Sequence, residues 1–295
     1  SRLFNSEGQT WDKHKYYCLH QENSKDYRKY WDTEKDKCRN GVIFHGDNNT
    51  WYLPRDYYWF LNFIPLYNKV KRQFEIADIY DAQYHMALYE LLADLHGKDI
   101  GVIKKRQFGS SYYHAGKLTN LLWFEQGVTL KMAASDKKYI FGEGTWSFLQ
   151  IQRNHLNTYT AWYRGMSPGG EGKWIQQNIE YTPDGREILS GSLGKLTAYT
   201  CERNPLSPVG GNVTILYYEE AGITKTMDKT KEAMDAALGQ GVFTKTGVFI
   251  AAGSVGELTE CEPLKKMIYD PDAFGIYAIE NNLVDDHGTI ARTGL

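Results

Sequence analysis

The sequence predicts an α/β fold, with a mostly parallel central sheet flanked by helices. Three observations carry that expectation. Apolar runs of strand length recur at "DIGVIKK" (99–105), "VTLKMAAS" (128–135), "GNVTILYYEEAG" (211–222) and "TGVFIAAGSVGE" (246–257). They are apolar on both faces, as strands covered on both sides are. Stretches with helical periodicity separate them. Three of the runs also lead directly into loops rich in glycine, charge or hydroxyls, and in a parallel sheet such loops gather at the carboxyl edge, where ligands bind.

In chain order, residues 1–75 form an aromatic-rich segment, expected to pack on the core as a lid or cover. "TWYLPRDYYWFLNFIPLYNK" holds eight Phe, Trp and Tyr residues in twenty positions. A disordered arm would be poor in such residues. Residues 76–295 form the main domain. "DIYDAQYHMALYELLADLHGKD" reads as a helix capped by Asp78 or Asp81 and closed at Gly97. The first strand follows, then a glycine turn and a helix, "SSYYHAGKLTNLLWFEQG", ending at Gly127. The second strand leads to a long predicted helix over "GTWSFLQIQRNHLNTYTAWYRG". "NIEYTPDGREILSGS" reads as a hairpin turning at Asp184-Gly185, and "KLTAYTC" as another strand. "TKEAMDAALGQG" is a helix with a glycine stop, and "GIYAIENNLV" a last strand. No internal repeat or low-complexity tract is visible.

Composition narrows the function classes. The chain has 295 residues, 42% of them hydrophobic, enough for one large core or two smaller ones. A formal net charge of -2 gives no global basic signal for nucleic acid, although a local basic surface is compatible with it. No apolar run reaches the roughly 18 residues of a membrane span, and the N-terminus lacks an apolar signal core. Four cysteines without a C-x-x-C pair suggest a reduced, cytosolic protein. Cys18, His20, Cys38 and His45 can be drawn as a zinc site, but their spacing fits no standard finger; buried thiols and surface histidines are the simpler reading.

The informative loop is "GVIKKRQFGSSYYHAG" (101–116). A loop that wraps phosphates needs backbone N–H groups aimed at the oxygens, a helix N-terminus behind them, and a cation. The consensus G-x-x-x-x-G-K-[ST] is broken twice: aligned on Gly109 and Ser111, its first glycine is Lys104 and its lysine is Ser110. Gly109 permits close approach, and the Ser111 hydroxyl suits Mg²⁺. Lys104, Lys105 and Arg106 supply cations ahead of Gln107 and Phe108. Lys104 and Lys105 would leave an extended strand on opposite faces, so only one reaches the phosphates; alignment favours Lys104. An ordinary strand–turn–helix with solvent-facing cations fits the same letters. The second loop ends an apolar strand in Glu219 and Glu220, where a metal-supporting acid and a water-orienting glutamate stand in nucleotide hydrolases. Two exposed acids would look alike in sequence. In the third loop, Gly253-Ser254-Val255-Gly256, a small hydroxyl at a strand end suits γ-phosphate sensing, or the loop is a plain glycine turn.

The order of these pieces resembles the large terminase subunit of tailed double-stranded DNA phages. That family often carries a deviant loop R-Q-x-G-K-[ST], here Arg106-Gln107-Phe108-Gly109-Ser110-Ser111, and some members place the functional lysine at the start, here Lys104. Its second motif often ends in D-E or E-E, matching Glu219-Glu220, and its coupling motif resembles Gly253-Ser254-Val255-Gly256. Tyr80-Asp81-Ala82-Gln83 matches the place of an adenine-binding glutamine. The resemblance covers roughly residues 50–295 and departs at Ser110 and Ser254. It implies a P-loop NTPase of the additional-strand catalytic-glutamate type that uses ATP and Mg²⁺. The implied roles are Glu220 polarising water, Glu219 and Ser111 supporting metal, and Lys104 or Lys105 neutralising phosphate. Arg106 would contact or sense the γ-phosphate, Gln83 would contact adenine, and Ser254 would couple hydrolysis to movement. Implied partners are double-stranded DNA, a portal protein, a small terminase subunit and further copies in a homo-oligomeric ring, with a monomer in isolation allowed. No membrane is implied, and the implied location is the host cytoplasm. Arg153, Arg164, Arg186 and Arg203 are open choices for an arginine acting on a neighbouring copy. The family's C-terminal nuclease is expected to be missing, so Asp285 and Asp286 are not read as its ligands. Two other readings stay open: another nucleic-acid translocase such as a helicase, and a non-hydrolysing nucleotide-binding assembly module, which Ser110 motivates.

Overall fold

The computed structural model describes residues 18–45, 50–164, 167–168, 171–176, 178–181, 184, 186–240 and 244–278. Its centre is a seven-stranded sheet. In chain order the strands are β1 (Ile100–Ile103), β2 (Thr129–Ala134), β3 (Ser167–Pro168), β4 (Lys173–Ile175), β5 (Lys195–Thr200), β6 (Ile215–Glu219) and β7 (Val248–Gly253). Across the sheet they run β1, β7, β6, β2, β5, β4, β3. The first five in that order pair in parallel, and β4 and β3 continue the sheet antiparallel. β7 therefore lies between β1 and β6. Register carries one level across the sheet: Val102 pairs with Ala252, Ala252 with Glu219, and Glu219 with Ala134. Three chemistry-bearing loops thus start side by side at the carboxyl edge.

The longer helices around the sheet are α1 (Lys25–Asn40), α2 (Arg55–Phe63), α3 (Asp81–Leu95), α4 (Ser110–Phe124), α5 (Thr145–Tyr159), α6 (Met227–Asp235) and α7 (Leu258–Tyr269). The α2 part of the aromatic segment is interior, with every residue from Asp56 to Phe63 buried and α2 packed on α4, while Trp51 and Tyr67 on either side are exposed. One apolar cluster runs from Trp31 through α2 and α4 to β2 and β6. The helix expected to reach Gly165 stops at Tyr159. Trp162 then turns inward against Trp31, Trp59, Phe63 and Phe124, and its carbonyl accepts from Trp123 Nε1 at 2.9 Å. Aromatic burial there outweighs helix continuation. α3 starts at Asp81, as one of the two expected caps suggested, although the capping position is Tyr80 and carries no side-chain cap bond. The hairpin Asn178–Tyr181/Glu187–Ser190 forms as its own two-stranded sheet, and Gly185 of its turn lies outside the described residues. Of the expected last strand (275–284), the described residues 275–278 form one bridge, Asp99 with Ile276; residues 279–295, Asp285 and Asp286 among them, lie outside the description. Cys38 is buried and His20 and His45 are exposed, and no metal-holding group of three His, Cys, Asp or Glu occurs among the described residues.

A buried charge cluster anchors α4 from below. Lys117 Nζ lies 2.8 Å from Glu90 Oε2, with Asp94 at 3.7 Å and Asp56 at 3.8 Å. His114 Nε2 faces the other Glu90 oxygen at 2.8 Å, and its Nδ1 faces the Ser110 hydroxyl at 3.0 Å. Burial alone would push the Glu90 carboxyl up; Lys117 and His114 outweigh it and hold it at about 2, against an ordinary 4.5. Burial likewise pulls the Lys117 ammonium down, and Asp94, Glu90 and Asp56 more than compensate. Removing one partner of such a pair strands a buried charge, so Glu90→Gln should destabilise the fold by about 3–5 kcal/mol in equilibrium denaturation. Because the folded-state pKa is depressed, this contribution is complete above pH 4.5 and is lost as pH falls toward 2. Chemical denaturation between pH 6 and 3 should therefore show a smaller difference between wild type and variant at the acid end.

Candidate active site

β1 ends at Ile103, and the ladder reaches one residue further, where the Lys104 amide donates to Gly253 O at 2.9 Å. The Lys104 side chain turns inward and is 7% exposed, whereas Lys105, Arg106 and Gln107 are exposed. Gln107 and Gly109 both have positive φ, at 66° and 83°. That pair of left-handed residues curls the loop so that it opens onto the start of α4. Gly109 is the N-cap residue, and no side chain caps the helix there, so its first-turn amides carry the positive end of the helix dipole. A Cβ at Gly109 would stand 2.7 Å from Gln83 Nε2. Gln83 braces the loop from α3, donating to Phe108 O at 2.7 Å; its Oε1 is buried without a hydrogen-bond partner. Ser110, at the place of the consensus lysine, is 1% exposed and faces His114 in the core.

Glu219 is the hub. Its Oε1 accepts from Ser111 Oγ at 2.8 Å and from Lys104 Nζ at 3.2 Å. Its Oε2 accepts from Thr145 Oγ1 at 2.9 Å and from the Tyr217 hydroxyl. Burial by itself would raise this carboxyl; Lys104 and the three hydroxyl donors reverse the shift and hold it below the usual carboxylate range. Glu220 follows in the left-handed region, at φ 50°. A non-glycine residue there costs roughly 1–2 kcal/mol and marks a position where geometry is enforced. The turn sends the Glu220 side chain toward β1 and β7. Its Oε1 lies 3.5 Å from Lys104 Nζ, and its Oε2 accepts from the Ser254 amide at 3.2 Å and hydroxyl at 3.0 Å. Lys104 thus bridges both acids, and Ser254 is buried beside them, while Val255 is exposed and Gly256 N donates to Gly222 O.

The sequence-predicted residues Lys104, Ser111, Glu219, Glu220 and Ser254 come together. Lys105, Arg106 and Val255 do not join them. Of the arginines considered for action in trans, Arg164 donates to Trp123 O, Arg186 pairs with Asp184, Arg153 lies over the Trp174 ring, and Arg203 is exposed. Thr145 and Tyr217 escaped the sequence reading. Tyr217 stands two residues before Glu219, so strand alternation places both on one face; Thr145 opens a helix directly after Gly144. The donor set suits a hard dication: a carboxylate oxygen and a hydroxyl 2.8 Å apart, a second carboxylate close by, and an ammonium standing in for the cation.

No protein-family model and no curated protein matches the sequence. Solved structures do resemble the fold. The HK97 bacteriophage large terminase is 15% identical with a TM-score of 0.48, over 77% of this chain and 44% of that one. The Thermus phage P74-26 large terminase ATPase domain is 11% identical with a TM-score of 0.38, and a mutant of that domain 10% with 0.40, each over 55% of this chain and 61% of theirs. The chain thus spans less than half the length of the HK97 protein.

Close backbone approach at the third loop sets a sharp steric test. A Cβ at Gly253 would fall 2.4 Å from Gly222 N and 2.6 Å from Ala221 N. Gly253→Ala should cost roughly 1–3 kcal/mol or more in equilibrium denaturation, because backbone rather than a flexible side chain must move. Gly101→Ala, whose Cβ would meet Ile268 at an ordinary 3.5 Å, should be nearly neutral in the same assay.

Proposed function

We propose that this chain is an ATP-hydrolysing motor domain of the large-terminase type, driving double-stranded DNA into a procapsid. One observation carries the reading. Lys104, Ser111, Glu219, Glu220 and Ser254, drawn from three separate loops, meet at the carboxyl edge of three adjacent parallel strands. The strand inserted between β1 and β6 is the order expected for the additional-strand class of nucleotide hydrolases, and the motif order along the chain supports the terminase assignment within that class. The portal, the small subunit, a ring of copies and the DNA track belong to this proposal.

Bound ATP would place its phosphates on the loop around Gly109, against the uncapped amides of α4. Lys104 would leave the two acids and neutralise phosphate charge, replacing the lysine that Ser110 lacks. Ser111 and Glu219 would hold Mg²⁺, which supplies charge neutralisation to the phosphates when bound. Glu220, released by Lys104, would orient the attacking water and accept its proton. Ser254, bonded to Glu220 through both amide and hydroxyl, would carry the state of the γ-phosphate into β7 and α7. The unpartnered Gln83 Oε1 is an acceptor suited to an exocyclic amino group such as adenine carries. Arg106, exposed at the loop, would reach the γ-phosphate only after loop closure.

Steady-state ATP turnover tests the reading. Glu220→Gln should retain nucleotide binding and lose roughly 10²-fold or more in turnover. Lys104→Ala should abolish hydrolysis, and Lys105→Ala should leave most of it. Normal turnover in both lysine variants would remove the loop from the mechanism; nucleotide binding without turnover in the wild-type chain would identify a non-hydrolysing module instead.

A further inference from the structure

Glutamate stands at position 219 where an aspartate is the more usual metal-side acid. It is one methylene longer and has one more rotor to fix. The structure shows how that rotor is held. The two Glu219 oxygens have separate company: Oε1 faces Ser111 and Lys104, the groups turned toward the phosphate loop, and Oε2 faces Thr145 and Tyr217, away from it. Thr145 is 1% exposed and Tyr217 is fully buried. Thr145 comes from the start of α5, where Gly144 allows a tight entry, since a Cβ there would lie 2.4 Å from Tyr139 O. Tyr217 is fixed in turn by its ring, stacked on His114 at 4.6 Å, and His114 is locked between Ser110 and Glu90. Among the described residues, neither hydroxyl donates to another acceptor.

We propose that Thr145 and Tyr217 are positioning residues that clamp the far oxygen of Glu219, so that only Oε1 is presented to a divalent cation beside Ser111. The clamp fits a glutamate: an aspartate at 219 is one methylene shorter and should lose contact with Thr145 or with Ser111. The inference rests on the proposed nucleotide site and adds to it a pair of residues from outside the three loops. Partners that orient a metal ligand without touching the metal typically change metal affinity by about 10–100-fold when removed.

The test is a titration of Mn²⁺ by electron paramagnetic resonance, in the presence of a non-hydrolysable ATP analogue, beside ATP turnover and thermal unfolding. Thr145→Val, close in shape but without the hydroxyl, should weaken Mn²⁺ binding roughly tenfold or more while analogue binding without metal stays unchanged. Thr145→Ser should restore Mn²⁺ binding to within about twofold of wild type, a recovery that a purely packing role would not produce. Tyr217→Phe deletes one oxygen, keeps the ring on His114, and should resemble Thr145→Val. Glu219→Asp should bind Mn²⁺ more weakly than wild type. Unchanged Mn²⁺ affinity in Tyr217→Phe overturns the proposal, and that variant decides the matter alone if Thr145→Val fails to fold. Glu219→Asp binding as tightly as wild type overturns the length argument. If the wild-type chain itself binds neither analogue nor Mn²⁺, the nucleotide-site reading fails, a result distinct from a wild type that binds both and variants that match it.

Discussion

The carboxyl edge of this sheet is organised around the cost of burying one charge. Glu219 is 2% exposed and ionised, and an isolated buried carboxylate is untenable. Its solution is complete: four donors reach it, from the end of β1, the start of α4, the start of α5 and its own strand. Lys104 and Ser111 flank one loop, seven residues apart, whereas Thr145 and the strand carrying Tyr217 and Glu219 lie far from that loop and from each other in sequence. The carboxylate therefore works as a joint, and the loops can carry chemistry because they are held to a common point.

The backbone supports the same point with unusual conformations. Glu220 sits in a left-handed turn, Gly109 and Gln107 curl the loop before α4, and Gly253 leaves no room for a Cβ beside the amides of Ala221 and Gly222. Each follows from level strand ends. With Val102, Ala252 and Glu219 in one register row, three chains must turn within about 10 Å, given the roughly 4.8 Å between strands. Only sharp turns and absent side chains fit that space. Below the edge, the Glu90–Lys117 pair and His114 fix α4, and through the Tyr217 ring they reach Glu219 as well.

Much of this was legible in the sequence. β1, β2, β6 and β7 are apolar on both faces, and continuous apolar runs are hard to hide. The three loops were readable because their residue types and order are both constrained. The antiparallel strands β3 and β4 and the hairpins at 42–53 and 65–76 were not foreseen; they span two to four residues each and mix polar with apolar positions. The end of α5 was misjudged because helical periodicity continues through Trp162, and only the aromatic cluster around that side chain shows why the chain turns. Tyr217 and Thr145 went unnoticed for different reasons. Tyr217 sits inside an apolar run that accounts for it as a strand residue, although alternation puts it on the face of Glu219. Thr145 has no local signal, since its significance lies in a residue 74 positions away.

Lys104 has one further consequence. Its ammonium rests against both acids, at 3.2 Å from Glu219 and 3.5 Å from Glu220. On the proposed function, a dication arriving alone would have to displace this tethered ammonium and leave it 7% exposed without an anion, a cost set against its own attraction to the two acids. Phosphates would change that balance, because they would offer the lysine a new anion as they bring the metal. Metal and nucleotide would then enter together, and free divalent ions would compete poorly for the seat on their own.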